Sequence, residues 1–127
     1  MNKTKQVIIM RKDLNMRKGK MIAQGAHVSM KVLLDSGSPQ NGYYQFPMTK
    51  DIDDWLSGKF TKVCLSCSSE EELDELYEKA KRKGLLSSMI IDSGLTEFNN
   101  IPTKTCIAIG PADSDIINEI TGDLKLL

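Results

Sequence analysis

The sequence predicts an α/β/α sandwich, with helices on both faces of a mixed four-stranded sheet. Three observations carry that expectation. Four short apolar or β-branched runs are bounded by turn formers, as strands are. Between them lie segments that begin with capping hydroxyls or acids and end in Lys, Arg and Gly, as helices do. The elements alternate as β-α-(α)-β-α-β-β-α, and the short link between the last two strands makes them an antiparallel pair in an otherwise layered fold.

Gln6–Met10 (Gln-Val-Ile-Ile-Met) is an apolar run suited to a strand buried on both faces. A polar turn through Lys18 leads into a helix from about residue 17 to Leu34. Residues 35–49 are rich in turn formers and are expected to be a surface loop. Thr49 or Asp51 then caps a short helix through Leu56. Phe60–Ser66 is the second strand. Ser68 or Ser69 followed by Glu70, Glu71 and Glu72 starts a helix, with its acids facing the positive end of the helix dipole. That helix closes on Lys79, Lys81, Arg82, Lys83 and Gly84, and Leu73, Leu76, Tyr77 and Ala80 form its buried stripe. Met89–Asp92 and Thr105–Ile109 are the third and fourth strands. Asp113 or Ser114 starts a last helix that Gly122 ends after Thr121, leaving Asp123–Leu127 as a tail.

The 127 residues are expected to form one domain, large enough to bury most of their apolar surface. No stretch of 18 apolar residues and no cleavable leader is visible, so the expected location is the cytoplasm and no membrane partner is expected. Residues 1–31 hold eight of the 17 Lys and Arg but only one of the 17 acids. A basic segment set against an acidic body suits an anionic partner, although solvated lysines alone would give the same count. Cys64 and Cys67 make a C-x-x-C on a strand, where residues three apart point to opposite faces. With a single further cysteine, this is neither a disulfide framework nor a zinc site.

Lys20, Gln24, His27 and Lys31 fall within roughly 60° of one another on the first helix. Ile22, Ala26 and Leu33 fall opposite, with Met30 beside them, and are expected to face the core. The exposed stripe needs a use. In open α/β sheets the working surface lies outside the carboxyl ends of the strands. Asp92 and Thr96 follow the third strand, and Thr105 opens the fourth on the same edge if that strand runs antiparallel. Lys20, Gln24, His27, Asp92, Thr96 and Thr105 can then converge. An amine, an imidazole, a carboxylate and hydroxyls suit ester hydrolysis by a directly attacking water. Asp92 or His27 would take its proton, and Lys20 or a backbone N–H would face the oxyanion. No Gly-x-Ser-x-Gly elbow is present, and one histidine with scattered acids gives no metal-ligand spacing. Taken singly, the same residues also read as a surface histidine, an Asx-turn aspartate and a capping threonine.

The segment Arg11-Lys12-Asp13-Leu14-Asn15-Met16, followed by Gly19-Lys20-Met21-Ile22-Ala23-Gln24-Gly25-Ala26-His27, resembles the N-terminal signature of the class II peptidyl-tRNA hydrolases, the archaeal and eukaryotic type. Ile91-Asp92-Ser93-Gly94-Leu95-Thr96 resembles that family's Asp-Ala-Gly-x-Thr. Thr105–Pro111 and Ile120–Leu127 resemble its last strand and tail. The resemblance implies hydrolysis of the ester between peptide and tRNA, an α/β sandwich, no metal or organic cofactor, and a homodimer. It implies catalytic roles for Lys20, His27, Asp92 and Thr96, and substrate contacts at Gln24 and Thr105. The basic residues Arg11, Lys18 and Lys31 would then meet the tRNA. Ser93 stands where the family has Ala, Glu97 where Gln is common, and Pro102-Thr103-Lys104 where a Pro-Gly-Thr turn is usual. The loop with Tyr43, Tyr44 and Phe46 is longer than usual; it is a self-packed surface loop or a set of aromatics for the acceptor end. The alternatives are an inactive RNA- or protein-binding module of the same fold and, less well matched to the basic segment, a small-molecule ester or amide hydrolase.

Overall fold

The computed structural model describes residues 3–127. In order, the elements are β1 (Thr4–Arg11), α1 (Lys18–Asp35), β2 (Ser38–Gln40), β3 (Tyr43–Gln45), α2 (Lys50–Ser57), β4 (Lys62–Cys67), α3 (Glu70–Arg82), β5 (Ser87–Asp92), β6 (Thr103–Asp113) and α4 (Ser114–Thr121). Four strands make one mixed sheet in the order β4-β1-β6-β5. β1 runs parallel to β4 and antiparallel to β6, and β5 is antiparallel to β6. The expected three-layer α/β/α fold is the one observed.

The two central strands explain their own sequences. Along β1 and β6 side chains alternate between two cores. Val7, Ile9, Ile107 and Ile109 pack with Leu73, Leu76 and Ala80 of α3 and Ile117 of α4. Ile8, Met10, Cys106 and Ala108 pack with Val28 and Val32 of α1. A strand with cores on both sides must be apolar at every position, hence the unbroken Val-Ile-Ile-Met. Helix starts follow the expected chemistry. Thr49 accepts from the Ile52 amide at 3.2 Å, and Asp113 accepts from the Asp115 and Ile116 amides. Ser69 caps the helix by accepting from the Glu72 amide at 3.0 Å, and Glu72 reaches back to accept from the Ser68 amide, one residue before the cap, at 2.7 Å.

Two expectations are corrected. The buried line of α1 is Gln24, Val28 and Val32, not Ile22, Ala26 and Leu33. The wheel divided the helix into opposite halves, and the contact line falls between them. The reason is where the helix lies: α1 packs mainly on β5 and β6, leaving the neighbouring face of β4 open. Lys20, His27 and Lys31 therefore run along the shoulder nearer β5, Gln24 turns under the helix instead of lying in their exposed stripe, and Ile22 and Leu33 line an open groove on the other shoulder. Second, residues 35–49 are not loop throughout, since β2 and β3 form a hairpin. Its turn is Asn41-Gly42, both at positive φ (50° and 82°), the geometry that two-residue hairpins require. Asn-Gly was a hairpin signal hidden in a turn-rich stretch.

The tail pairs along the free edge of β4. Leu126 bridges Leu65, the Leu127 amide donates to the Cys64 carbonyl, and the Ser66 amide donates to the Lys125 carbonyl. Cys64 is exposed and Cys67 buried, and all three cysteines are free thiols. Burial pushes the Cys67 thiol up to about 11 and the Cys106 thiol up to about 12, so both are protonated and inert at neutral pH.

Candidate active site

Lys20 in the first turn of α1 and Asp92 at the end of β5 are 72 positions apart in the chain and meet at 2.9 Å. The Lys20 ammonium also donates to the Thr96 hydroxyl at 3.0 Å. The Gln24 side-chain amide donates to the same Asp92 oxygen at 3.4 Å, and the Gly94 backbone amide donates to the other at 2.9 Å. Behind them the Thr105 hydroxyl donates to Gln24 Oε1. That bond fixes which end of the amide faces Asp92, so Thr105 orients Gln24 and Gln24 orients the carboxylate.

A register shift brings Thr105 inward. Opposite β5, Ile90 pairs with Cys106 and Ile91 with Lys104, so Thr105 is the extra residue of a bulge. Strict alternation would have turned it away from Cys106. Instead both side chains reach Gln24: the Thr105 hydroxyl donates to its Oε1 and the Cys106 thiol donates to its backbone carbonyl at 3.5 Å.

The Lys20 and Asp92 side chains are 15% and 12% exposed, so their attraction is only partly screened by water. The Lys20 hydrogen bond, aided by the Gly94 amide, holds the Asp92 carboxyl below the usual carboxylate range against the opposing effect of desolvation. Below Lys20, the Phe98 ring is packed against the α1-side core, 5.8 Å from the ammonium. Phe98 is a neighbour of the site that the sequence reading missed; its being the one aromatic between β5 and β6 was its only trace.

The valences left over matter chemically. An ammonium has three protons, and Lys20 uses one on Asp92 and one on Thr96, leaving one donor. Asp92 accepts twice on Oδ1 and once on Oδ2, leaving Oδ2 an unused lone pair. One donor and one anionic acceptor thus stand side by side.

The other candidates lie further out. His27 is exposed, one turn beyond Gln24, and makes no hydrogen bond among the described residues. Lys18 is exposed on the shoulder that lines the groove, and Lys31 pairs with Asp35 at 3.2 Å. Arg11 is buried and committed: it makes a two-pronged pair with Asp13 and donates to the Lys104 carbonyl at 3.0 Å. Its guanidinium braces the turn after β1. The Tyr43–Tyr44 hairpin folds back on the C-terminal end of α1, where the Tyr44 hydroxyl donates to the Leu34 carbonyl. Lys20 is roughly 22 Å away along the helix axis, so these aromatics are not part of the cluster. Among the described residues no three His, Cys, Asp or Glu side chains come together as a metal site would require.

Comparison with known proteins bears on what the cluster does. The family described as Peptidyl-tRNA hydrolase PTH2 matches residues 4–127. A peptidyl-tRNA hydrolase of Methanopyrus kandleri is 43% identical over 126 residues, covering 97% of each chain. One from Methanocaldococcus jannaschii is 40% identical over 123 residues, covering 97% of this chain and 99% of its own. One from Thermococcus sibiricus is 41% identical over 133 residues, spanning both chains entirely.

Proposed function

The chain belongs to the Peptidyl-tRNA hydrolase PTH2 family, and from that premise we propose that Lys20, Asp92 and Thr96 are the residues with which it cleaves the ester between peptide and tRNA. The carrying observation is the convergence, from three distant parts of the chain, of a cation, an ionised carboxylate and a hydroxyl. The remaining Lys20 proton faces the ester carbonyl and stabilises the oxygen as it turns anionic. The open lone pair of Asp92 Oδ2 holds the attacking water. Water oxygen bonds to the carbonyl carbon, the bond to the tRNA 3′ oxygen breaks, and that oxygen leaves with a proton as free tRNA. Two groups stand to accept the water's proton: Asp92 itself, and His27 on the same shoulder of α1. Gln24 and Thr105 keep the carboxylate aimed. Lys31, on the outside of α1, and Lys18, in its first turn at the edge of the groove, meet phosphates of the tRNA, which makes binding weaken as salt rises. Arg11, spent on Asp13, supports the turn that leads into α1.

Purified protein incubated with N-acetylaminoacyl-tRNA is expected to release the N-acetylamino acid and leave intact tRNA. Folded protein that binds this substrate without turning it over would instead be a binding module.

The same proposal includes a homodimer in the cytoplasm. No helix of the described residues is long and apolar enough to cross a membrane, and the cysteines are unpaired, as a reducing compartment keeps them. Support for the dimer comes from the open groove of about 710 Å³ between α1, Trp55, Phe60 and the sheet. Ile22, on its rim, is 73% exposed. Contiguous apolar surface of this kind is what an isologous interface covers. Light scattering at micromolar protein should give twice the chain mass, and Ile22→Glu should return it to a monomer with an unchanged circular dichroism spectrum. A wild-type monomer would dismiss the dimer.

A further inference from the structure

The loop between β5 and β6 has two faces, and only one of them is explained by the cluster. Inward, Phe98 joins the core and Thr96 meets Lys20. Outward, Leu95 is 75% exposed and Ile101 is 62% exposed. Neither is remote from the chemistry. Leu95 sits between Gly94, whose amide holds Asp92, and Thr96, which holds Lys20, so its Cα lies about 4 Å from each of theirs. The Ile101 backbone is pressed against Gly94 so closely that a Cβ there would stand 2.2 Å from the Ile101 carbonyl oxygen.

The loop is also fixed in shape. The Phe98 and Asn100 amides both donate to the Gly94 carbonyl, and the Ile101 amide donates to the Phe98 carbonyl. The Thr103 hydroxyl adds a bond to the Ile101 carbonyl at 2.7 Å. Two aliphatic side chains are thus held out to solvent on a preformed support beside the Lys20–Asp92 pair.

We propose that Leu95 and Ile101 form the subsite for the side chain of the residue esterified to tRNA, and that they favour a nonpolar one. The inference rests on the reading of Lys20 and Asp92 as the ester-cleaving pair. The character of the surface decides between the two halves of the substrate. Lys18 and Lys31 stand on the helix side of the pair, where phosphates are welcome. On the loop side the Glu97 carboxylate pairs with Arg17 at 3.9 Å, so the two charges offset each other, and the exposed surface nearest the Lys20–Asp92 pair is the two aliphatic side chains. A phosphate chain finds no unpaired cation there, whereas an apolar side chain finds aliphatic surface to cover. The ester in the middle is then oriented, tRNA over the helix and peptide over the loop.

The test uses one tRNA charged with N-acetylleucine or with N-acetylserine. Wild-type kcat/KM should favour the leucyl substrate by about fivefold or more, as partial burial of one aliphatic side chain gives. Leu95→Ser and Ile101→Ser, both at exposed positions, should each cut that ratio by about threefold. Equal slowing of both substrates, accompanied by weaker inhibition by deacylated tRNA, would overturn the proposal and make the ledge a tRNA contact. An unchanged ratio would overturn it as well. Asp92→Asn assayed alongside separates the two levels: full turnover by that variant means the ester site lies elsewhere, whatever the ratio does.

Discussion

Asp92→Asn is expected to lower turnover of peptidyl-tRNA by about 10²-fold or more while the protein stays folded. Asparagine keeps the size and one carbonyl acceptor, so the bond to the Gly94 amide can survive. What it loses is charge. Lys20 would face a neutral amide whose NH₂ group can only repel it, and Gln24 would lose its anionic acceptor. The ammonium, with little solvent around it, would be left without its counter-ion. The associated loss of stability should be about 1–3 kcal/mol, below that of a fully buried pair because water still reaches both groups. Lys20→Ala should slow turnover comparably, since it removes the donor that faces the carbonyl oxygen.

The two substitutions and the pH profile together identify the base. Lys20 holds Asp92 ionised below the ordinary carboxylate range. A carboxyl with a depressed folded pKa contributes stability above its unfolded value and loses it as pH falls through the folded one. Its charge therefore persists through the mildly acidic range. If Asp92 receives the proton, kcat/KM should stay flat down to about pH 5. If His27 receives it, His27→Ala should slow turnover about as much as Asp92→Asn does.

Much of the Lys20–Asp92 cluster is legible in the sequence. Motif order and helical spacing brought Lys20, Gln24, Asp92, Thr96 and Thr105 onto one edge because the sheet leaves few ways to arrange two antiparallel final strands. Side-chain period, cap chemistry and strand composition are local properties, and local properties survive folding. The failures concern what is not local. Whether Ile22 or Val28 faces the sheet depends on where α1 rests across its strands, and both are apolar. The bulge at Thr105 depends on the register against β5, which no single strand encodes. Arg11 looked like a free cation because the Lys104 carbonyl becomes its neighbour only when β1 and β6 pair; Asp13, two residues on, was the local sign of its commitment. Glu97 was visible as an odd negative charge near a polyanion's path, and its pairing with Arg17 accounts for it.

Gly94→Ala should be the most damaging change outside the charged pair. Its φ of +84° lies in the left-handed region, where a side chain costs about 1–2 kcal/mol. Strain alone would be survivable. The obstacle is that a Cβ would lie 2.2 Å from the Ile101 carbonyl oxygen and 2.6 Å from the Ile101 nitrogen. Both are backbone atoms, which cannot rotate aside, so the loop must open. Opening it withdraws the Gly94 amide from Asp92 and carries Thr96 off Lys20, and turnover should fall by about 10²-fold, as for loss of an aimed donor. Gly42→Ala is the matched control. Its φ is +82° but nothing lies within 4 Å of the added carbon, so it suffers the strain without the collision. It should cost about 1 kcal/mol in a denaturant melt and leave turnover untouched. Equal turnover by the two variants would mean that the loop's closed shape contributes nothing to the chemistry.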